Sequence, residues 1–164
     1  MKRLMMMAAV LFIAVTACKK EGPEFFRGRY GYSVSGTIKC ECTTLEGDTE
    51  QRTFAVADEQ GVMHIEPHGS QMVMTTKDIG GGVTVFDATV SGTEISTKPL
   101  AKRIKVRSGG ILSTEEIDVT VECSGYKSNG LIVMEMKISG PDFVDGVIAC
   151  KITESDVKCV ATAQ

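Results

Sequence analysis

From Tyr30 to Thr43 the chain alternates. Tyr30, Tyr32, Val34, Gly36, Ile38, Cys40 and Cys42 hold the even positions, while Ser33, Ser35, Thr37, Lys39 and Glu41 fill most of the odd ones. A period of two over that length predicts one half-buried strand, and Gly36 within it predicts a bend or bulge. Leu45 to Gln51 reads as a polar loop. A two-residue turn at Glu59 and Gln60 then sets Phe54 opposite Ile65 and Val56 opposite Met63. A second turn at His68 and Gly69 sets Ile65 opposite Met72 and Met63 opposite Met74. Both turns gather apolar residues on one face, and a one-residue slip would scatter them.

The alternation continues through the second half. Ile79 to Gly82 is a glycine-rich connection, and Val83 to Val90 turns at Ser91-Gly92 so that Ala88 faces Ile95. A basic strand follows near Ile104, and Ser108-Gly109-Gly110 opens a loop before Ile117. Asn129-Gly130 is the strongest hairpin signal, because a type I′ turn needs positive φ at both central residues. It pairs Glu122 with Lys137 and gathers Val119, Val121, Cys123, Met134, Met136 and Ile138 on the other face. A last hairpin joins Val147–Ile152 to Val157–Ala161 through Thr153-Glu154-Ser155-Asp156. Residues 30–164 thus predict an all-β domain, an antiparallel up-and-down meander of about ten strands rolled into a barrel or half-barrel. A β-sandwich satisfies the same pattern.

The N-terminus follows another rule. Lys2 and Arg3 precede an uncharged run from Leu4 to Thr16, and small Ala17 stands before Cys18. That order predicts a secretory signal helix over residues 1–17; the run is shorter than the roughly 20 residues that span a bilayer. Val15-Thr16-Ala17-Cys18 resembles the lipobox of bacterial lipoproteins. The resemblance implies acylation of Cys18 as the first mature residue and attachment to a membrane through lipid. Lys19, in place of the aspartate that retains such proteins in the inner membrane, points to the outer membrane and leaves the periplasmic or surface face open. Residues 18–29 read as a lipidated tether, interrupted by Phe25 and Phe26, which either pack on the domain or dip into the interface.

Gly28-Arg29-Tyr30, and Val34-Ser35-Gly36-Thr37 recurring as Val90-Ser91-Gly92-Thr93, stand within this meander. With the lipobox they make the chain resemble the calycin or lipocalin-like lipoproteins of Gram-negative bacteria. That resemblance implies a barrel of eight to ten strands and binding of a small hydrophobic molecule.

Composition narrows the function. A net charge of −3 and the absence of tryptophan give no footprint for a nucleic-acid partner. The basic stretch Lys98, Lys102, Arg103, Lys105 and Arg107 puts Arg103, Lys105 and Arg107 on one strand face. That face is either solvated or touches an anionic lipid or glycan.

Beyond Cys18 there are Cys40, Cys42, Cys123, Cys150 and Cys159. The predicted last hairpin sets Cys150 across from Cys159, within reach of a disulfide in an oxidising compartment. Cys40 and Cys42 share a face, and either could meet Cys123. A metal site built on that pair with His64 or His68 lacks the second Cys pair usual for zinc, so no metal or cofactor is expected. Met63, Met72, Met74, Met134 and Met136 all face inward, either as core filling or as a flexible lining for a lipid-like ligand. Asp87, Asp118 and Glu122 are scattered on solvent faces, and no catalytic set is nominated. The expectation is a non-catalytic, membrane-anchored protein that binds a small hydrophobic ligand or lipid. The alternative is a structural module docking on an envelope protein or glycan.

Overall fold

The computed structural model describes residues 22–108 and 114–164. The signal segment and Cys18 lie outside the described residues, as does the loop read at Gly109-Gly110. Among the described residues no helix is long and apolar enough to cross a membrane.

Among the described residues the chain forms ten antiparallel strands after one short helix, α1 (Pro23–Phe26). They are β1 (Gly28–Thr43), β2 (Thr49–His68), β3 (Gln71–Asp78), β4 (Val83–Ser91), β5 (Glu94–Thr97), β6 (Leu100–Ser108), β7 (Thr114–Ser128), β8 (Leu131–Ser139), β9 (Phe143–Asp145) and β10 (Ile148–Ala163). β1 pairs with both β2 and β10, so the order β1-β10-β8-β7-β5-β4-β3-β2 closes on itself. Closure leaves no long edge within that ring. The even residues of β1, Gly36 aside, point into a core completed by Phe54, Met63, Ile65, Met74, Phe86, Val121 and Ile132.

Two long strands serve two branches each. β2 pairs with β6 through Phe54–Val56 and with β3 through Gly61–His68. β7 pairs with β6 through Thr114–Val121 and with β5 through Ser124–Tyr126. The sheet therefore forks, with β3, β4 and β5 bridging β2 to β7 at one end and β6 bridging them at the other.

Two predicted hairpins are absent, and one cause accounts for both. β2 runs straight through Glu59 and Gln60, and Phe54 pairs with Ile38 instead of Ile65. Opposite Ser35 the register shifts, because Val34 meets Glu59 while Gly36 meets Val56. The extra residue on β2 is a bulge. It moves the inward row from Phe54 and Val56 to Glu59, Met63 and Ile65. A two-residue turn produces the same change of parity, so a bulge reads as a turn. β10 repeats the pattern: a shift at Lys39/Cys40 leaves Thr153 extra, and the strand continues through the predicted loop. Thr153 Oγ1 donates to the Lys39 carbonyl at 3.1 Å and holds that bulge. Gly36 carries φ 144°, and a side chain there would overlap the Asp156 carbonyl of β10.

This geometry corrects the disulfide. Cys150 and Cys159 lie on one strand and cannot meet across a turn. Cys150 faces Cys42 across β1 and β10, with Cα atoms 4.1 Å apart, and those two are bonded. Cys159, Cys40 and Cys123 are buried free thiols.

Other turns are displaced without changing faces. Ile65 meets Met74 instead of Met72, and Val90, not Ala88, meets Ile95. A shift of two residues preserves parity, so the predicted faces hold. The Asn129-Gly130 hairpin has the predicted register, with Glu122 against Lys137, and φ of 49° and 78° at its two turn residues.

Phe26 is fully buried in the barrel core, and the Tyr30 hydroxyl donates to its carbonyl. Phe25 packs edge-on against it, under the Lys127 ammonium 4.8 Å from its ring. Of the two roles open to this pair, packing on the domain is the one adopted. At the opposite end Arg52 Nη1 donates to the buried Asp145 carboxylate at 2.7 Å, beside the Cys42–Cys150 bond and the Phe54–Phe143 edge contact.

Candidate functional site: a cleft where the sheet forks

Between its two branches β2 loses a partner. Ala57 to Gln60 pairs with neither β6 nor β3, and on that side only the Ile79 N–H reaches the Gln60 carbonyl, at 2.9 Å. A gap opens between this segment and Lys102–Lys105 of β6, under the β3–β4 turn at Asp78–Gly80. It forms a cleft of about 440 Å³ whose floor is Val34, Met136, Ile138 and Val157.

Parity brings polar groups inside here. The β2 bulge turns Glu59 inward opposite Val34, diagonal to Tyr32. Lys102 belongs to the inward row of Ile104 and Val106, and Thr76 to that of Met72 and Met74. Tyr32 Oη donates to Glu59 Oε1 at 2.6 Å, and Lys102 Nζ donates to Glu59 Oε2 at 2.8 Å. The Glu59 and Lys102 side chains retain 25% and 18% exposure, which sets the pair at the cleft mouth. Burial, reinforced by hydrogen bonding to the Glu59 carboxylate, raises the Tyr32 phenol well above its ordinary value. Tyr32 therefore stays a donor at neutral pH. Within the cleft the Glu59–Lys102 pair gives one fixed polar point with no net charge, and Asp58, Gln60, Asp78, Arg103 and Lys105 add polar groups around it.

Behind the triad the barrel is filled. A hollow of about 20 Å³ lies there, lined by Tyr32, Met74, Cys123, Met134, Met136 and Cys159 among others. Burial pushes the Cys123 thiol up to about 11 and Cys159 up to about 12, so neither is a ready nucleophile.

The methionines predicted to line a ligand divide accordingly. All five are buried. Met136 lines both cleft and hollow, Met74 and Met134 line the hollow, Met72 borders a small surface depression beside Pro67, and Met63 is core. His64 and His68 are exposed, and among the described residues no group of three or more His, Cys, Asp or Glu side chains is placed to hold a metal. Sequence reasoning missed Glu59, taken for a turn, and Lys102, grouped with the outer basic residues. The usable signal was polar side chains at inward parity.

The face of Arg103, Lys105 and Arg107 does point outward, but β7 neutralises much of it. Arg103 grips Asp118 through two bonds of 2.8 and 3.2 Å, and Lys105 stands 3.7 Å from Glu116. The guanidinium holds the Asp118 carboxyl below its usual range. Because both partners are solvated, Arg103→Gln is expected to move the thermal midpoint by less than about 3 °C, read by circular dichroism. On the outer surface beside short β5 lies a larger groove of about 570 Å³, lined by Tyr126, Val133, Ser96, Ser124, Glu94 and Glu135 among others. Compared with protein-family models, with curated proteins and with solved structures, the chain matches none.

Proposed function

We propose that this chain is a bacterial outer-membrane lipoprotein of the calycin or lipocalin-like kind, anchored by lipid on Cys18. Its non-catalytic domain binds a small hydrophobic molecule or lipid with one polar end. The cleft at the fork is the observation that carries the reading. Its volume of about 440 Å³ falls in the roughly 300–1,000 Å³ typical of ligand sites, and its apolar floor of Val34, Met136, Ile138 and Val157 is ringed by charged side chains, Glu59 and Lys102 among them. The ligand sits in the side of the barrel rather than along its axis, because the core fills the lumen. Tyr32, Glu59 and Lys102 hydrogen-bond to one another, which suits them to orienting a polar end rather than to moving protons.

Native mass spectrometry of the full-length chain in detergent, after exposure to envelope lipids, tests this. An adduct of lipid mass that leaves on denaturation is expected, whereas a covalent anchor would stay. Ala57→Trp, which fills the cleft from its rim, is expected to weaken that adduct about tenfold, or roughly 1.4 kcal/mol. A bare wild-type chain, or an adduct indifferent to Ala57→Trp, rejects the reading.

A second reading, an envelope module docking on a glycan, is favoured by the outer groove alone. Tyr126 there is half exposed and flanked by serine hydroxyls and by Glu94 and Glu135. Its ring offers a stacking surface and its neighbours offer acceptors, the combination that sugar hydroxyls require.

A further inference from the structure

Five of the eleven side chains that line the hollow behind the cleft carry sulfur. That share exceeds what ordinary core filling requires, since Val, Ile and Leu pack barrels without it. Register places four of the five together. Cys123 of β7 is directly paired with Met136 of β8, and Cys159 of β10 with Met134 of the same strand. Met134 and Met136 are successive inward residues, so the four form one contiguous patch across β7, β8 and β10. Directly paired residues have β-carbons about 4.5–5.5 Å apart, and the two rows are about 6.7 Å apart along β8. Met74 faces the same hollow from β3.

We propose that Cys123, Cys159, Met134 and Met136, with Met74 opposite, form a binding site for one soft monovalent metal ion, Cu(I). Thiolate and thioether donors select Cu(I), whereas carboxylate, carbonyl and water oxygens suit magnesium and calcium. The hollow, about 20 Å³, has room for about one water-sized occupant. One ion fits and an organic ligand does not. Val34, Glu59, Lys102 and Met136 line both the open cleft and the hollow, so the two share a wall. Binding balances as two thiols plus one Cu(I) giving a dithiolate complex and two protons, with no change of oxidation state. The complex carries one negative charge, and the Lys102 ammonium that lines the same hollow is paired with Glu59, which lines it too, so the pair adds no net charge beside the metal. The site does not depend on what occupies the outer cleft.

The experiment uses the full-length chain in mild detergent, titrated anaerobically with Cu(I) against bicinchoninate, with ascorbate holding the metal reduced while leaving the Cys42–Cys150 bond intact. One equivalent is expected to be withheld from the competitor, with thiolate-to-copper charge-transfer absorption in the ultraviolet. Cys123→Ala with Cys159→Ala removes both anionic donors. It is expected to weaken binding by more than about 100-fold, beyond the 10- to 100-fold typical of losing a supporting contact. Met134→Leu with Met136→Leu keeps volume and fold and is expected to weaken binding about tenfold, as loss of neutral donors should. Cys40→Ala, a buried thiol on β1 outside the hollow, is expected to change nothing. A wild-type chain that surrenders all its copper overturns the assignment, as does one whose affinity survives both the cysteine and the methionine pairs. If the cysteine variant does not fold, the methionine pair decides: weaker binding supports the site, and unchanged binding rejects it.

Discussion

Replacing Cys42 and Cys150 together by alanine is expected to lower the free energy of unfolding by about 4 kcal/mol, most of it through the unfolded chain. The bond joins residues 108 apart in sequence, from the first strand to the last. Holding the ends of a loop that long reduces denatured-state entropy by an amount worth roughly 4–5 kcal/mol, against about 3 kcal/mol for a loop of ten or so residues. The folded state loses less. β1 and β10 stay paired from Tyr30↔Ala163 to Thr43↔Ala149, so the barrel remains closed without the covalent bond. Two alanines in a fully buried site leave a small cavity, which adds to the loss. Urea unfolding at neutral pH reads both effects, and the m-value should rise as the unlinked chain exposes more surface. Peptide mapping under non-reducing conditions gives the connectivity directly. A fall below about 1 kcal/mol would remove the long-loop argument, and recovery of Cys150 linked to Cys159 would contradict the register of β10 itself.

The same strand explains which parts of the fold are legible in the sequence. Alternation identifies inward residues wherever a strand keeps its parity, as in β1, β7 and β8. Asn129-Gly130 fixes its own turn because few other residues accept positive φ twice. The turns after His68 and Ser91 carry no such marker, and a register two residues off buries the same side chains, so pattern alone cannot place them. Bulges are the harder case. At Ala57–Asp58 and at Thr153 one added residue inverts parity within a continuous strand, and hydrophobic pattern cannot distinguish that from a turn. What decides is long-range pairing with β1, to which no local window has access.

The site was illegible for the same reason. Glu59 becomes inward only through the β2 bulge. Lys102 becomes its partner only because β6 crosses into the fork, a connection between residues 43 apart in sequence. The five methionines were legible as inward residues, but their division between cleft, hollow and core depends on how the ring closes.

Glu59→Leu is expected to lower stability by about 2 kcal/mol, more than any single change on the outer face. The substitution leaves the Lys102 ammonium without an anion and the Tyr32 phenol without its acceptor. Stranding one member of a fully buried pair costs about 3–5 kcal/mol. Here Lys102 retains 18% exposure and can turn toward water in the cleft, which reduces the penalty. Lys102→Met in the Glu59→Leu background removes the stranded charge and is expected to restore at least half of the loss, because an apolar pair of similar volume often replaces a buried ion pair without net cost. Glu59→Gln separates the two contacts. Its amide oxygen still accepts from Tyr32 while the charge on Lys102 goes unanswered, so its loss should fall between wild type and Glu59→Leu. A double-mutant cycle by urea unfolding measures the coupling, expected at 1 kcal/mol or somewhat more. Additive losses within about 0.3 kcal/mol would mean that the two side chains stand side by side without interacting, and the cleft would lose the fixed polar point on which the proposed ligand orientation depends.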